Sequence, residues 1–164
     1  MSSLAAEKVV SAQATGTTAQ SETVATVEAV SGKSIGSISK LRITIDITTA
    51  LVGTDPLLNL FFQRPIISGF AAATGADWAD FHASVQFLDS HAAGTRRYVD
   101  IPLPEPQDVD GSLANRDLTP AQEALAARLT ISGHWGDAIR IRSVLAGTIT
   151  TGAVYDVHIQ ELAG

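Results

Sequence analysis

Residues 40–48 have the sequence Lys-Leu-Arg-Ile-Thr-Ile-Asp-Ile-Thr, which is the clearest structural signal in the chain. Four aliphatic side chains alternate with polar or charged ones, and most of the four are β-branched. Because successive side chains of a strand point to opposite faces, this alternation predicts a strand with one apolar face and one polar face. The residues predicted to enter the core are Leu41, Ile43, Ile45 and Ile47.

Alternation of the same kind recurs toward the C-terminus and predicts an antiparallel arrangement of short strands. A turn of hairpin length at residues 89–94, with a glycine at its end, separates the first two of these strands. Many short strands with frequent turns are typical of a mainly β fold, here an antiparallel β-sandwich or a jelly-roll-like barrel. The predicted strands lie at residues 83–88, 98–103, 129–135, 138–146 and 153–162.

Two stretches between these strands have less regular patterns. Residues 53–56, Gly-Thr-Asp-Pro, predict a turn, and the apolar run at 57–62 fits either a buried strand or a short helix. Residues 102–106 carry three prolines and predict an exposed connection, since proline cannot join a sheet interior. One inserted helix is predicted over residues 121–129, because Thr119 can cap it and Pro120 suits its first position.

The first 37 residues differ from the rest in composition. Of these, 27 are Ala, Ser, Thr, Val or Gly, and none is proline or aromatic. A segment so poor in bulky side chains is expected to take its order from a neighbouring subunit or from the body of the fold. We therefore predict an extended N-terminal assembly arm at residues 1–37 and a single β-domain at 38–164. A flexible tail, or a weak strand at 22–30 that pairs within its own domain, are the alternatives.

Charge and composition exclude several classes of partner. The chain has 17 acidic and 11 basic residues, so its net charge is −6 and no basic cluster offers a nucleic-acid surface. It contains no cysteine, so neither a disulfide framework nor a thiolate metal site is possible. We also expect no transmembrane segment and no secretory signal, which makes synthesis in a host cytoplasm the default.

Histidines and carboxylates occur in three Asp-x-His triplets, a spacing that places both side chains on one face of a strand. Such pairs can bind a metal ion, which makes a metal-dependent enzyme one hypothesis. The triplets lie in dissimilar contexts, however, and the sequence contains no known catalytic motif, so we predict no metal site, no cofactor, no catalytic residue and no enzymatic activity. The triplets are Asp80/His82, Asp89/His91 and Asp156/His158, and His134 stands apart from them.

Aromatic and basic residues provide the remaining candidates for ligand binding. Trp78 and Trp135 could stack on a sugar or base, but in a chain with 5% aromatic residues they are expected to fill the core or an interface. Three arginines could pair a ligand carboxylate, and two more are expected on a solvated or inter-subunit strand face. The tripeptide at residues 32–34 lacks the glycine spacing of a phosphate loop. The first three arginines are Arg64, Arg96 and Arg97, and the other two are Arg140 and Arg142.

A β-domain with an uncharged arm and no enzymatic motif is typical of a self-assembling structural subunit. The leading hypothesis is a structural protein of a virus particle, from a bacteriophage or an archaeal virus, that forms the capsid or another virion layer. Its partners would be copies of itself and other virion proteins, with no direct contact to nucleic acid. The alternative is a β-sandwich module that binds carbohydrate or a small ligand through Trp78 or Trp135.

Overall fold

The computed structural model describes residues 5–19, 22–65, 78–102 and 137–162, and within these ranges the protein is mainly β. The helix predicted at 121–129, the strand at 129–135 and most of the proline-bearing connection lie outside the described residues. A 3-10 turn at Ile35–Ser37 accompanies the strands. The strands are β1 (Glu7–Ala14), β2 (Glu22–Val27), β3 (Ala29–Val30), β4 (Lys33–Ser34), β5 (Lys40–Thr49), β6 (Val52–Pro65), β7 (Trp78–Leu88), β8 (Arg96–Pro102), β9 (Ile139–Thr151) and β10 (Val154–Glu161).

Eight of these strands form two antiparallel sheets of four strands each. Sheet 1 has the order β1-β10-β5-β8, and sheet 2 has the order β2-β9-β6-β7. Along the chain, the sheet-forming strands alternate between the two sheets, except that β6 and β7 follow each other within sheet 2. Strands β3 and β4 form a separate small hairpin.

Strand β5 confirms the prediction from residues 40–48. Its aliphatic side chains are at most 1% exposed, and the polar residues between them are half-buried on the opposite face. The core contains side chains from both sheets, with β6 and β9 contributing opposite β5 and β10. The four buried residues are the predicted Leu41, Ile43, Ile45 and Ile47.

Strand β6 resolves the ambiguity of residues 57–62 in favour of a buried strand. Every residue from 56 to 64 is buried, so both faces of the strand are covered and no alternation appears in the sequence. The turn predicted at residues 53–56 is wrong, because these residues continue β6. Asp55 has a positive φ of 47° and lies opposite Gly147, whose φ is 81°, at a register shift between β6 and β9. The turn-forming residues therefore make a bulge inside a long strand.

Two strands in the described part of residues 1–37, β1 and β2, belong to the two four-stranded sheets. Strand β1 pairs with β10 at one edge of sheet 1, and β2 pairs with β9 at the corresponding edge of sheet 2. Val27, Val30 and Ile35 are buried in the same core as β5. The alternative of a strand that pairs within its own domain is met over Glu22–Val27, whereas Ala29–Val30 pairs with β4. The assembly role of residues 1–37 stays a prediction.

Candidate functional site

The outer face of sheet 1 carries an ordered array of charged and polar side chains. Residues directly opposite each other on neighbouring antiparallel strands share a face, so the strand register defines rows across the sheet. One row contains Gln160, Arg42 and Asp100, the next His158, Thr44 and Tyr98, and the third Asp156, Asp46 and Arg96.

Arg42 links two strands at the centre of this face. Its Nε and Nη2 atoms donate to the two oxygens of Asp100 at 2.7 and 2.8 Å, and its guanidinium lies 4.7 Å from the centre of the Tyr98 ring. The hydrogen bond from Arg42 lowers the pKa of Asp100, and the same bond raises the pKa of Arg42. Tyr98 is 62% exposed, so its aromatic ring lies at the surface beside this ion pair.

Two carboxylates, Asp46 and Asp156, lie directly opposite each other in the third row. Like charges at such positions repel, and each carboxylate has its own cation. Arg96 Nε lies 3.2 Å from Asp46 Oδ2, and Lys8 Nζ lies 2.8 Å from Asp156 Oδ2. The two ion pairs therefore connect the edge strands of sheet 1, β8 and β1, to its central strands β5 and β10.

Asp156 also receives a backbone hydrogen bond from the N-terminal strand. Its Oδ1 accepts the N–H of Ala12 at 2.7 Å. Ala12 has a positive φ of 49° within an irregular stretch of β1, which aims this N–H at a side chain of β10. The bond from Ala12, followed by that from Lys8, lowers the pKa of Asp156. We call Lys8, Ala12 and Asp156 the β1 clasp.

The structure separates the three Asp-x-His triplets. His158 shares the outer face with Asp156, but that carboxylate already binds Lys8 and Ala12. His91 lies in the turn after β7, where its Nδ1 accepts the N–H of Leu88 at 2.8 Å. Burial, and then the charge of Arg97, lower the pKa of His91.

The remaining candidates of this kind are located only in part. Asp80 and His82 lie in β7, and their side chains are not among those described, while His134 lies outside the described residues. Among the described residues, no group of three or more His, Cys, Asp or Glu is arranged to hold a metal ion.

Sheet 2 buries polar residues on its outward face, which the sequence did not reveal. Trp78 is 4% exposed, and the Arg140 guanidinium lies 5.8 Å from the centre of its ring. Of the predicted solvated or inter-subunit positions, the solvated one is wrong for Arg140, which is 3% exposed, and Arg142 is half-buried over Phe61. Arg64 is also buried, and burial lowers its pKa. Further buried polar residues of β6 and β7 are Asn59, Gln63 and Gln86.

The tripeptide at residues 32–34 has a structural explanation. Ser31 and Gly32 both have positive φ, as a tight hairpin turn between β3 and β4 requires. Lys33 Nζ contacts Glu161 Oε1 at 2.6 Å, so its charge attaches this hairpin to β10. The Ser31 N–H also donates to Glu7 Oε2, which joins the hairpin to β1.

The described side chains of the outer face of sheet 1 combine ion pairs with an exposed aromatic ring. Arg42, Asp100 and Asp156 are engaged in ion pairs with fixed geometry, and Tyr98 presents apolar area among them. Within the described parts of the chain, no helix is both long enough and apolar enough to span a bilayer. A scan against protein-family models and searches of curated proteins and of solved structures found no match.

Proposed function

We propose that this protein is a structural subunit of a virus particle, forming the capsid or another virion layer by self-assembly through its β-domain and N-terminal segment. The observation that carries the proposal is the nested pairing of the strands. Numbered along the chain, the eight sheet-forming strands pair first with last, second with seventh, third with sixth and fourth with fifth.

Nested pairing of this kind is what results when one long antiparallel ribbon is folded over on itself. The two sheets then have the strand orders 1-8-3-6 and 2-7-4-5, which correspond to the orders observed here. These orders agree with those of a jelly roll, a fold used by viral capsid domains, lectins and cupins. The strand order therefore supports a jelly-roll subunit. Whether the polar and charged residues lie in the interior or on the outer faces distinguishes among these three uses.

The interior favours a structural role over a cupin-like one. Leucine, isoleucine, valine and phenylalanine from both sheets fill the core, and many of these side chains are fully buried. A polar contact between the sheets is made by hydroxyl groups: Thr23 Oγ1 of sheet 2 lies 3.2 Å from the Tyr155 hydroxyl of sheet 1. Thr23 Oγ1 also contacts Ser143 Oγ within sheet 2. A core packed in this way directs recognition to the outer faces and the edges.

The surfaces of the protein suit association between copies. Fixed ion pairs on the outer face of sheet 1 give a pattern of charges that a partner can match, which favours one orientation over others. Tyr98 lies within this pattern, and tyrosine and arginine are among the residues enriched at the centres of interfaces. Both sheets also carry an edge strand from the N-terminal segment, where chains can pair through backbone groups.

The full chain, purified without other virion proteins, provides the test. We expect sedimentation velocity to show species much larger than the 17.1 kDa monomer, and negative-stain images to show rings, sheets or closed shells. Tyr98→Glu places a charge within the patterned face and should weaken assembly without unfolding the monomer. A wild-type protein that remains monomeric across salt and pH conditions would contradict the proposal.

One observation favours the second candidate, a module that binds carbohydrate or a small ligand. Trp78 is buried and unsuited to stacking, but Tyr98 offers an exposed ring beside the Arg42–Asp100 pair. Sugars bind to aromatic rings through their apolar faces and to such ion pairs through their hydroxyls. Shifts of the Tyr98 ring signals on titration with oligosaccharides, together with loss of the calorimetric binding signal in Tyr98→Ala, would support this function. Unchanged spectra would exclude it.

A further inference from the structure

We propose that β1 is exchanged between copies, so that in the assembled protein the strand paired with β10 comes from a second copy of this chain. This inference rests on the proposed function in that it names the contact through which subunits join. Its evidence is the weak attachment of β1, the strong requirement of β10 for a partner, and the turn that connects β1 to β2.

Strand β1 is attached to its own sheet by little apolar surface. No residue of β1 is fully buried, and Val9 and Val10 only pack against the rim of the core. Its pairing with β10 is interrupted by two register shifts, between Lys8 and Val10 and between Val10 and Gln13. Detaching this strand therefore exposes few apolar atoms and breaks an irregular ladder.

Strand β10 has the opposite character. Tyr155, Val157 and Ile159 are at most 2% exposed, and without β1 their strand would become an open edge over the core. Asp156 would also lose the N–H of Ala12 and the Lys8 ammonium. An open edge of this kind captures a strand. The β1 of a second copy is the matching occupant, because it brings the same β1 clasp.

The connection from β1 to β2 can allow the exchange. Gly16 has a φ of 72°, where the chain leaves sheet 1 for sheet 2, and no heavy atom lies within 4 Å of the position of a Cβ. Residues 16–21 span roughly 20 Å when extended. That is about twice the 10 Å between stacked sheets, so an opened connection can reach a copy beside this edge.

Single-cysteine variants test the exchange directly, because the chain contains no cysteine of its own. Ala14 and Val154 are paired residues, and their strands lie within disulfide distance of each other. We would mix Ala14→Cys protein with Val154→Cys protein, allow assembly, oxidise, and map the bridges by mass spectrometry. The expected product is a 14–154 bridge between chains, well above the share that random collision gives.

The double variant Ala14→Cys/Val154→Cys tests the opposite case, in which β1 pairs with β10 of its own chain. If β1 stays in its own chain, this variant forms a bridge within the monomer and the mixed single variants give no excess of the 14–154 product, which would overturn the exchange. Particles without that product would leave the virion role standing and remove the exchange. Bridged dimers without particles would support the exchange and contradict the virion role.

A second pair of variants tests the hinge without cysteines. Gly16→Ala strains the turned conformation, which favours an opened connection, and we expect the exchanged fraction at equilibrium to rise roughly tenfold. Gly94→Ala is the matched control, because Gly94 also has a positive φ and open space but lies in the β7–β8 turn at the opposite edge. Mixed isotope-labelled copies, weighed by native mass spectrometry, report the exchange. Equal effects of the two substitutions would contradict the hinge.

Discussion

Replacement of Asp156 by alanine removes the centre of the β1 clasp. The bond from the Ala12 N–H is charge-assisted, and such bonds contribute about 1.5–3 kcal/mol. Ala12 is exposed, so water can replace part of that bond and the lower end of the range applies. The Lys8 side chain is 46% exposed, which limits its ion pair to about 1 kcal/mol or less. Together these contacts predict a loss of about 2 kcal/mol in the attachment of β1.

Asp46→Ala is the matched control for this prediction. Asp46 lies directly opposite Asp156 on the same face, but its cation is Arg96, whose side chain is 70% exposed. Either substitution relieves the repulsion between the two carboxylates, but Asp46→Ala removes only this exposed ion pair, so we expect a change near zero. Urea denaturation gives the global free energy of unfolding, and hydrogen exchange of the β1 amides gives the local one. Equal losses in the two variants, or unchanged exchange of β1 in Asp156→Ala, would refute the clasp.

Three further perturbations test other parts of the structure. Ile45→Asp buries an unpaired charge in the core and should prevent folding, as judged by circular dichroism, whereas Thr44→Asp on the outer face of the same strand should fold. Gly147→Ala should destabilise the protein by several kcal/mol in urea titrations, because a Cβ there would collide with the backbone carbonyl of Asp55 and the φ is positive; wild-type stability would contradict the bulge. Because the pKa of Asp156 is lowered in the folded protein, the β1 clasp contributes fully above the ordinary aspartate pKa of about 3.9 and is lost as the pH falls through the lower folded value. The amide signal of its backbone donor should therefore titrate with a midpoint below that ordinary value, and a midpoint at or above it would count against the clasp.

Strands with one wet face were predictable from the sequence, and strands buried on both faces were not. The alternation of β5 encodes a buried and an exposed side residue by residue, so the pattern and the structure agree. In β6 both faces are covered, and the alternation that would have marked a strand disappears. The sequence around Asp55 and Pro56 predicted a turn, because the residue types that favour turns also occur at bulges.

The N-terminal segment shows the limit of local patterns more clearly. Small residues in β1 and β2 suggested an arm, but edge strands that cover little of the core need no large side chains. Their partners, β10 and β9, lie at the far end of the chain: Lys8 and Asp156 are 148 residues apart. Burial of Val27 and Ile35 also means that removing residues 1–37 removes part of the core. Shorter deletions that end before β2 are therefore the useful ones for assembly experiments.

The most direct test of a self-assembling subunit is the mass and shape of the purified full chain, measured by mass photometry and electron microscopy of the same sample. We predict discrete high-mass species with a repeating subunit that contacts its neighbours through the outer face of sheet 1 or the β1 edge. A homogeneous monomer of 17.1 kDa, unchanged by concentration, salt and pH, would contradict it.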